Sequence, residues 1–393
     1  MSKMQKILLY TGVGIVSLVG LAVLAVYAFV IQRPATATSV IAEVKPYQWN
    51  KVKLGGNTLS SDGSEYFIWT KNGESNNWII FFSGGGVSWD AKSAAHPIKL
   101  MNLLKGTDTG NYFPDIPFYM LTLLGGITDT GNPDNPFHGW NVVYLPYSTG
   151  DFHIGNRTVE YAREDGSRFT MRYNGRNNVQ SSLDWIYANV EKPGKLLIAG
   201  ESAGGFGSAF WAPVIAAHYK DSEIYQYSDS SYLRSDKWPE VVEQEWHADF
   251  AKNFGYAPEA DLIGSAFREN ERLMPAGTVL LQSYSVDDEI LIHFQNNIND
   301  YTGPRDQKVI HTWSEEMRQS VASLADTVPN YYYYLTDYGL DAAKGTTGHT
   351  FATRGTFYQA EQDGVKLIKW LGDAVNQHKP YSVGSSFLRG EQP

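Results

Sequence analysis

The chain reads as a mixed α/β protein with a mostly parallel sheet flanked by helices, and three features predict this. Short apolar strands alternate with helix-forming stretches along most of the length. Residues 78–82 (WIIFF) and 141–145 (NVVYL) are continuous apolar runs, the pattern of strands covered on both faces. Finally, an apolar strand at 195–199 (KLLIA) passes through Gly200-Glu201-Ser202-Ala203-Gly204 into a helix-forming run from Ser208.

Taken in order, the first element stands apart from that domain. Residues 7–31 hold no charged side chain over 25 positions, long enough for a helix to cross a bilayer. Lys3 and Lys6 precede it and predict a cytoplasmic N-terminus. Ala35-Thr36-Ala37 resembles a signal-peptidase site, so a cleaved signal peptide is the rival to an uncleaved signal anchor; its apolar part is normally shorter than this run. In both cases the chain from about Thr38 lies outside the cytoplasm, in the periplasm or the extracellular space. The expected organisation is therefore a signal anchor (an N-terminal transmembrane helix) and linker at 1–37, followed by a single α/β domain at 38–393.

Within that domain, residues 64–70 (SEYFIWT) alternate between Asp62-Gly63 and Asn72-Gly73 and predict an antiparallel strand near a hairpin. The 78–82 strand empties into Ser83-Gly84-Gly85-Gly86. Residues 106–139 are rich in Gly, Pro and Asn and read as a long lid or substrate loop. The 141–145 strand leads into Pro146-Tyr147-Ser148-Thr149-Gly150-Asp151. A helix is predicted over 177–190, with Val179, Leu183, Ile186 and Val190 on one face and Pro193-Gly194 as its stop. Further strands are expected at 223–227, 278–284 and 331–335 (YYYYL). A last helix over 365–375 should bury Ile368, Leu371 and Val375.

Composition narrows the function classes. A net charge of −10 on 393 residues repels phosphate backbones and argues against nucleic-acid binding. The absence of cysteine removes disulfides, thiolate metal sites and lipidated cysteines. No H-E-x-x-H, Cys/His cluster or EF-hand loop is present, so neither a metal nor another cofactor is expected. Aromatic residues make up 14% of the chain, which suits sugar rings or acyl chains and equally suits a tyrosine-rich core.

The chemistry is concentrated at the 200–204 turn. A strand-to-helix turn this tight needs small residues around its centre, and it pushes the Ser202 hydroxyl out at the rim of the sheet, as in the nucleophile elbow of α/β-hydrolases. A serine hydroxyl is a weak nucleophile until a base takes its proton; histidine is the usual base, oriented by a carboxylate. In this fold the acid and the histidine follow the serine along the chain. The 278–284 strand empties into Asp287-Asp288-Glu289, and a late small-residue loop carries His349. His293 and His311 also follow these acids but fall in helical or polar stretches. Backbone N–H groups of the Gly84-Gly85-Gly86 loop, with that of Ala203, are candidates for an oxyanion hole.

These motifs together resemble the pectin acetylesterase/Notum family of serine esterases. The resemblance rests on Phe82-Ser83-Gly84-Gly85-Gly86, on Asn135-Pro136 through Trp140-Asn141-Val142-Val143 to Pro146-Tyr147, on Gly200-Glu201-Ser202-Ala203-Gly204-Gly205, and on Asp229-Ser230, in that order. It implies Gly85, Gly86 and Ala203 as the oxyanion hole, with Ser202 as nucleophile, His349 as base and Asp287 as acid, the last because the family acid directly follows an apolar residue, here Val286. It places Asp151 and His153 in a substrate-side loop, where they are candidate pocket residues or purely structural ones. Plant and animal members carry cysteines where this chain has Val87-Ser88 and Ser148, so the loops shaping the substrate pocket need not match. The implied activity is hydrolysis of a carboxylic ester, foremost an acetyl ester on a polysaccharide. A lipid or protein-bound acyl ester is the second expectation, and a membrane-anchored binding protein without catalysis the third.

Overall fold

The computed structural model describes residues 45–105, 110–304 and 306–389, with 2–5, 10–11, 13, 17–18, 20–21, 31–32 and 34 near the N-terminus. Eight strands form one sheet: β1 (Asn50–Lys53), β2 (Phe67–Lys71), β3 (Trp78–Phe82), β4 (Asn141–Leu145), β5 (Lys195–Glu201), β6 (Glu223–Asp229), β7 (Val279–Ser285) and β8 (Tyr331–Thr336). Their order is β1-β2-β4-β3-β5-β6-β7-β8. The β1–β2 and β2–β4 pairings are antiparallel, and the remaining five are parallel.

Both faces of the sheet are covered, which is why its central strands are apolar throughout. In β3, Trp78, Ile80 and Phe82 join one core, while Ile79 and Phe81 join the other, as the period of two requires. The first core is closed by α2 (Gly175–Asn189), α3 (Ala203–His218), α4 (Leu262–Leu273), α5 (Glu289–Ile298) and α6 (Gln307–Thr327). The second is closed by α7 (Leu367–Asn376), through Leu367, Trp370, Leu371 and Val375.

Because β3 to β8 run parallel, the loops leaving their C-terminal ends share one rim. That rim receives Gly84-Gly85-Gly86, Ser202, Asp229, Asp288 and the loop carrying His349. The strand expected over 64–70 starts at Phe67 and is antiparallel to both of its neighbours, β1 and β4. The Asn72-Gly73 turn carries the chain past a close contact: a Cβ on Gly73 would lie 2.1 Å from the Gly139 carbonyl. Among its described residues, the 106–139 stretch contains one short helix, α1 (Met120–Leu123), and a 3-10 turn at Gly126–Thr128. A hairpin of Arg157–Ala162 with Arg168–Tyr173 stands outside the main sheet. Most of the apolar run at 7–31 lies outside the described residues, and no helix among those described is long and apolar enough to cross a membrane.

Candidate active site

The turn at the end of β5 has the strain that the sequence predicts. Ser202 sits at φ 53°, ψ −127°, a region that side-chain-bearing residues occupy at a cost. The flanking glycines are compelled by contact. A Cβ on Gly200 would fall 2.0 Å from the Gly204 carbonyl, and one on Gly204 would fall 2.0 Å from the Phe82 carbonyl. The Ser202 N–H donates to the Asp229 carbonyl at 2.8 Å, which pins the turn to the end of β6.

His349 faces a carboxylate, and that carboxylate belongs to Asp288. Nδ1 lies 2.7 Å from Asp288 Oδ2. The other oxygen of Asp288 accepts the N–H groups of Ile290 and Leu291 at 3.0 Å each, so the residue also caps α5. The sequence expectation of Asp287 is corrected here. The Asp287 backbone pairs with Thr347, while its side chain turns toward Ser314, Arg318, His311 and Asp337 in a cavity of about 300 Å³. The backbone passes from strand to helix at this step, and the cap position points back to the histidine. Asp288, two positions before the Ile290-Leu291 opening of a helix, carried that cap signal in the sequence.

Burial works against a charge on His349, yet Asp288, with Asp229 and Glu201 beyond it, outweighs this and raises the pKa above its ordinary value. These two further carboxylates were not assigned a role from the sequence. Asp229 Oδ2 accepts the N–H groups of Phe351 and Ala352 at 2.7 and 2.8 Å, and Oδ1 accepts the Ser283 hydroxyl at 2.6 Å. Glu201 accepts the Thr353 hydroxyl at 2.7 Å. The loop that follows His349 is thus strapped to the residue preceding Ser202 and to the neighbouring strand end. Burial pushes both carboxyl pKa values up, so each depends on these donors to stay ionised. A polar residue inside G-x-S-x-G and an Asp at the end of an apolar strand were the available sequence signals.

The glycine loop closes the other side. A Cβ on Gly84 would lie 2.7 Å from the Glu201 carbonyl and 2.8 Å from Ser202 Cβ, so Gly84 is the loop residue pressed against the serine. Gly85 accepts from the Phe113 N–H at 3.0 Å, and Val87 donates to Asn111 at 2.8 Å. Among the described residues, no hydrogen bond draws on the N–H of Gly84, Gly85 or Gly86. Ala203 opens α3, and its N–H therefore lacks an intrahelical acceptor.

Asp151 and His153 lie beneath this site rather than in it. Asp151 is fully buried; it accepts from the Thr149 hydroxyl at 2.6 Å and the Gly175 N–H at 2.8 Å. Burial raises its pKa to about 6. His153 is buried as well. Its Nε2 donates to the Ser83 carbonyl at 3.0 Å, its ring packs 4.7 Å from Tyr147, and burial lowers its pKa to about 4. His153 braces the start of the glycine loop at Ser83, and Asp151 holds the His153 backbone, whose N–H it accepts at 3.2 Å. Among the described residues, no three His, Asp or Glu side chains converge as a metal site would require.

This is the architecture of a serine esterase, a carboxylic ester hydrolase on a mixed α/β sheet. Residues 55–247, just under half of the chain, match the family model "Pectinacetylesterase". Two crystal forms of the Wnt deacylase Notum from Drosophila share the fold, with TM-scores of 0.55 and 0.56 at 17% and 18% identity. Each alignment covers 84% of this chain and 94% of the Notum chain. No curated protein sequence matches the chain.

Proposed function

We propose that Ser202, His349 and Asp288 carry out ester hydrolysis through an acyl-enzyme, and that the physiological substrate is an acetyl ester on a polysaccharide. The observation that carries this reading is the 2.7 Å contact of His349 Nδ1 with Asp288 Oδ2, in a loop strapped to the base of the serine turn. In this scheme Ser202 Oγ attacks the ester carbonyl as His349 Nε2 takes its proton, and Asp288 stabilises the resulting imidazolium. The tetrahedral oxyanion is held by N–H groups of the Gly84–Gly86 loop and of Ala203. The imidazolium returns the proton to the departing alcohol. Water then repeats the sequence on the acyl-serine, releasing the acid and restoring the serine.

The family match supports the polysaccharide reading. The Notum fold supports a second reading, a longer acyl ester, and Phe113 adds a local reason: a Cβ on Gly85 would meet its ring at 3.0 Å, so an aromatic face already borders the oxyanion loop. Turnover of p-nitrophenyl esters of increasing acyl length, measured beside acetate release from pectin and xylan, separates the two. A steep preference for acetate supports the first and a rise with chain length the second. Ser202→Ala should abolish turnover of every substrate in the series; turnover at the wild-type rate in that variant would remove the mechanism. We further propose that residues 7–31 anchor the enzyme in a membrane, with the esterase domain outside the cytoplasm.

A further inference from the structure

The segment that borders the catalytic serine is tied to the site at both ends. At one end the Phe113 N–H donates to the Gly85 carbonyl at 3.0 Å. At the other, the N–H groups of Gly125 and Ile127 donate to the carbonyls of Thr353 and Ala352 at 3.0 and 2.7 Å, in the loop that follows His349. Between these ties the chain runs from the oxyanion loop to the histidine loop. It buries Met120 and Leu121 beneath it and leaves Phe118 61% and Leu123 55% exposed, five residues apart at the rim of the site. Two exposed apolar side chains are ordinary by themselves; what singles these out is the N-terminal segment fastened next to them.

That segment also identifies their partner. The Gln32 N–H donates to Thr122 Oγ1 at 2.9 Å, within the same rim. Gln32 directly follows the uncharged run at 7–31. The described members of that run do not pack on the domain: Tyr10, Val13, Leu18 and Leu21 are helical and 55–70% exposed. Apolar side chains left bare in this way suit an apolar medium, and Gln32, which directly follows the run, is fastened to Thr122, beside Leu123.

We propose that Phe118 and Leu123 rest in the headgroup region of a lipid bilayer, so that the esterase site opens toward the membrane surface rather than away from it. The inference rests on the reading of residues 7–31 as an anchor. Without that tether, two side chains alone would give only weak, transient binding; with it, the bilayer is always within reach and the patch only sets the orientation of the domain.

The absence of cysteine allows a clean test on the full chain. Single variants Phe118→Cys and Leu123→Cys carry an environment-sensitive NBD label, with Asp221→Cys as a control at the opposite end of the sheet. Each is reconstituted into phosphatidylcholine vesicles, with p-nitrophenyl acetate turnover as the check on folding. The expected result is at least twofold quenching of the labels at 118 and 123 by doxyl groups on the lipid near the headgroups, with none at 221. A chain that fails to float with the vesicles overturns the anchor and the orientation together. A chain that floats while 118 and 123 are quenched by aqueous iodide as readily as 221 overturns the orientation alone. Labels shielded from both quenchers overturn it too, because another protein surface then covers the patch.

Discussion

Asp287 and Asp288 differ by one position and, in the proposed mechanism, by everything that matters to catalysis. The Asp288 carboxylate divides its two oxygens between an imidazole and the N-terminus of α5; Asp287 faces Ser314 and Arg318 on the other side of the same turn. Asp288→Asn should therefore lower kcat on the order of 10³–10⁴-fold, the cost of losing the carboxylate that orients and stabilises the imidazole. Asp287→Asn should change it by less than about tenfold, since its backbone pairing with Thr347 survives. The reverse ranking in steady-state kinetics would reassign the acid. The same carboxylate sets the pH response. His349 must be neutral to accept the serine proton, and its pKa is raised above 6.5, so the acidic limb of kcat/KM should fall above pH 6.5. The stability linkage runs the opposite way. A histidine with a raised folded pKa contributes stability that is fully present below its unfolded value near 6.5 and lost as pH rises through the folded value. In the proposed mechanism the neutral His349 that accepts the serine proton is the form in which this contribution has been given up. A limb below pH 6.5 would count against the environment described for His349.

At the scale of elements, the glycine loop depends on a buried pair with opposed titrations. His153 is held below its ordinary value, at about 4, so acidification from 6.5 toward 4 protonates the unfolded chain but not the fold, and stability falls. Asp151 is held above its ordinary value, at about 6, so its fold takes up a proton before the unfolded chain does, and stability rises over nearly the same range. The two slopes offset each other. His153→Asn keeps a residue tolerant of the φ of 66° found there and removes one slope. Denaturant titrations should show the stability gap between wild type and variant changing, in favour of the variant, by on the order of 3 kcal/mol as pH falls from 7 to 4. A constant gap would mean that His153 titrates normally. This pair also shows where sequence reading stops. Strands β3, β4 and β5 were legible because continuous apolar runs have one stable placement, between two covered faces. The serine turn was legible because backbone crowding forces glycine at Gly200 and Gly204. Asp151 and His153, by contrast, are polar residues in a loop beside the motif, and sequence proximity to a site does not tell the side facing substrate from the side facing the core. Only the contacts with Ser83 and Gly175 decide that. Asp229 and Glu201 escaped assignment for the same reason: their partners, Phe351, Ala352 and Thr353, are more than 120 positions away.

At the scale of the whole molecule, the parallel sheet must end somewhere, and an open strand edge offers unpaired N–H and C=O groups to other chains. The β8 side is closed by the chain itself. Val383 donates to the Tyr333 carbonyl at 2.9 Å and accepts from the Leu335 N–H at 3.1 Å, laying the C-terminal segment along the edge. Val383 and Phe387 are each only 4% exposed, so this cover is packed as well as hydrogen-bonded. The Tyr381 carbonyl accepts the Trp370 indole N–H at 2.5 Å, which couples the cover to α7 and hence to the second core. Deleting residues 381–393 should therefore act through three linked losses: two buried apolar side chains at about 1.5–3 kcal/mol each, an orphaned indole donor, and an exposed edge on β8. The expected outcome is a lower Tm together with concentration-dependent light scattering that wild type lacks. Loss of stability without association would mean that the segment acts by packing alone. No change in either would show that β8 is protected by something other than Val383.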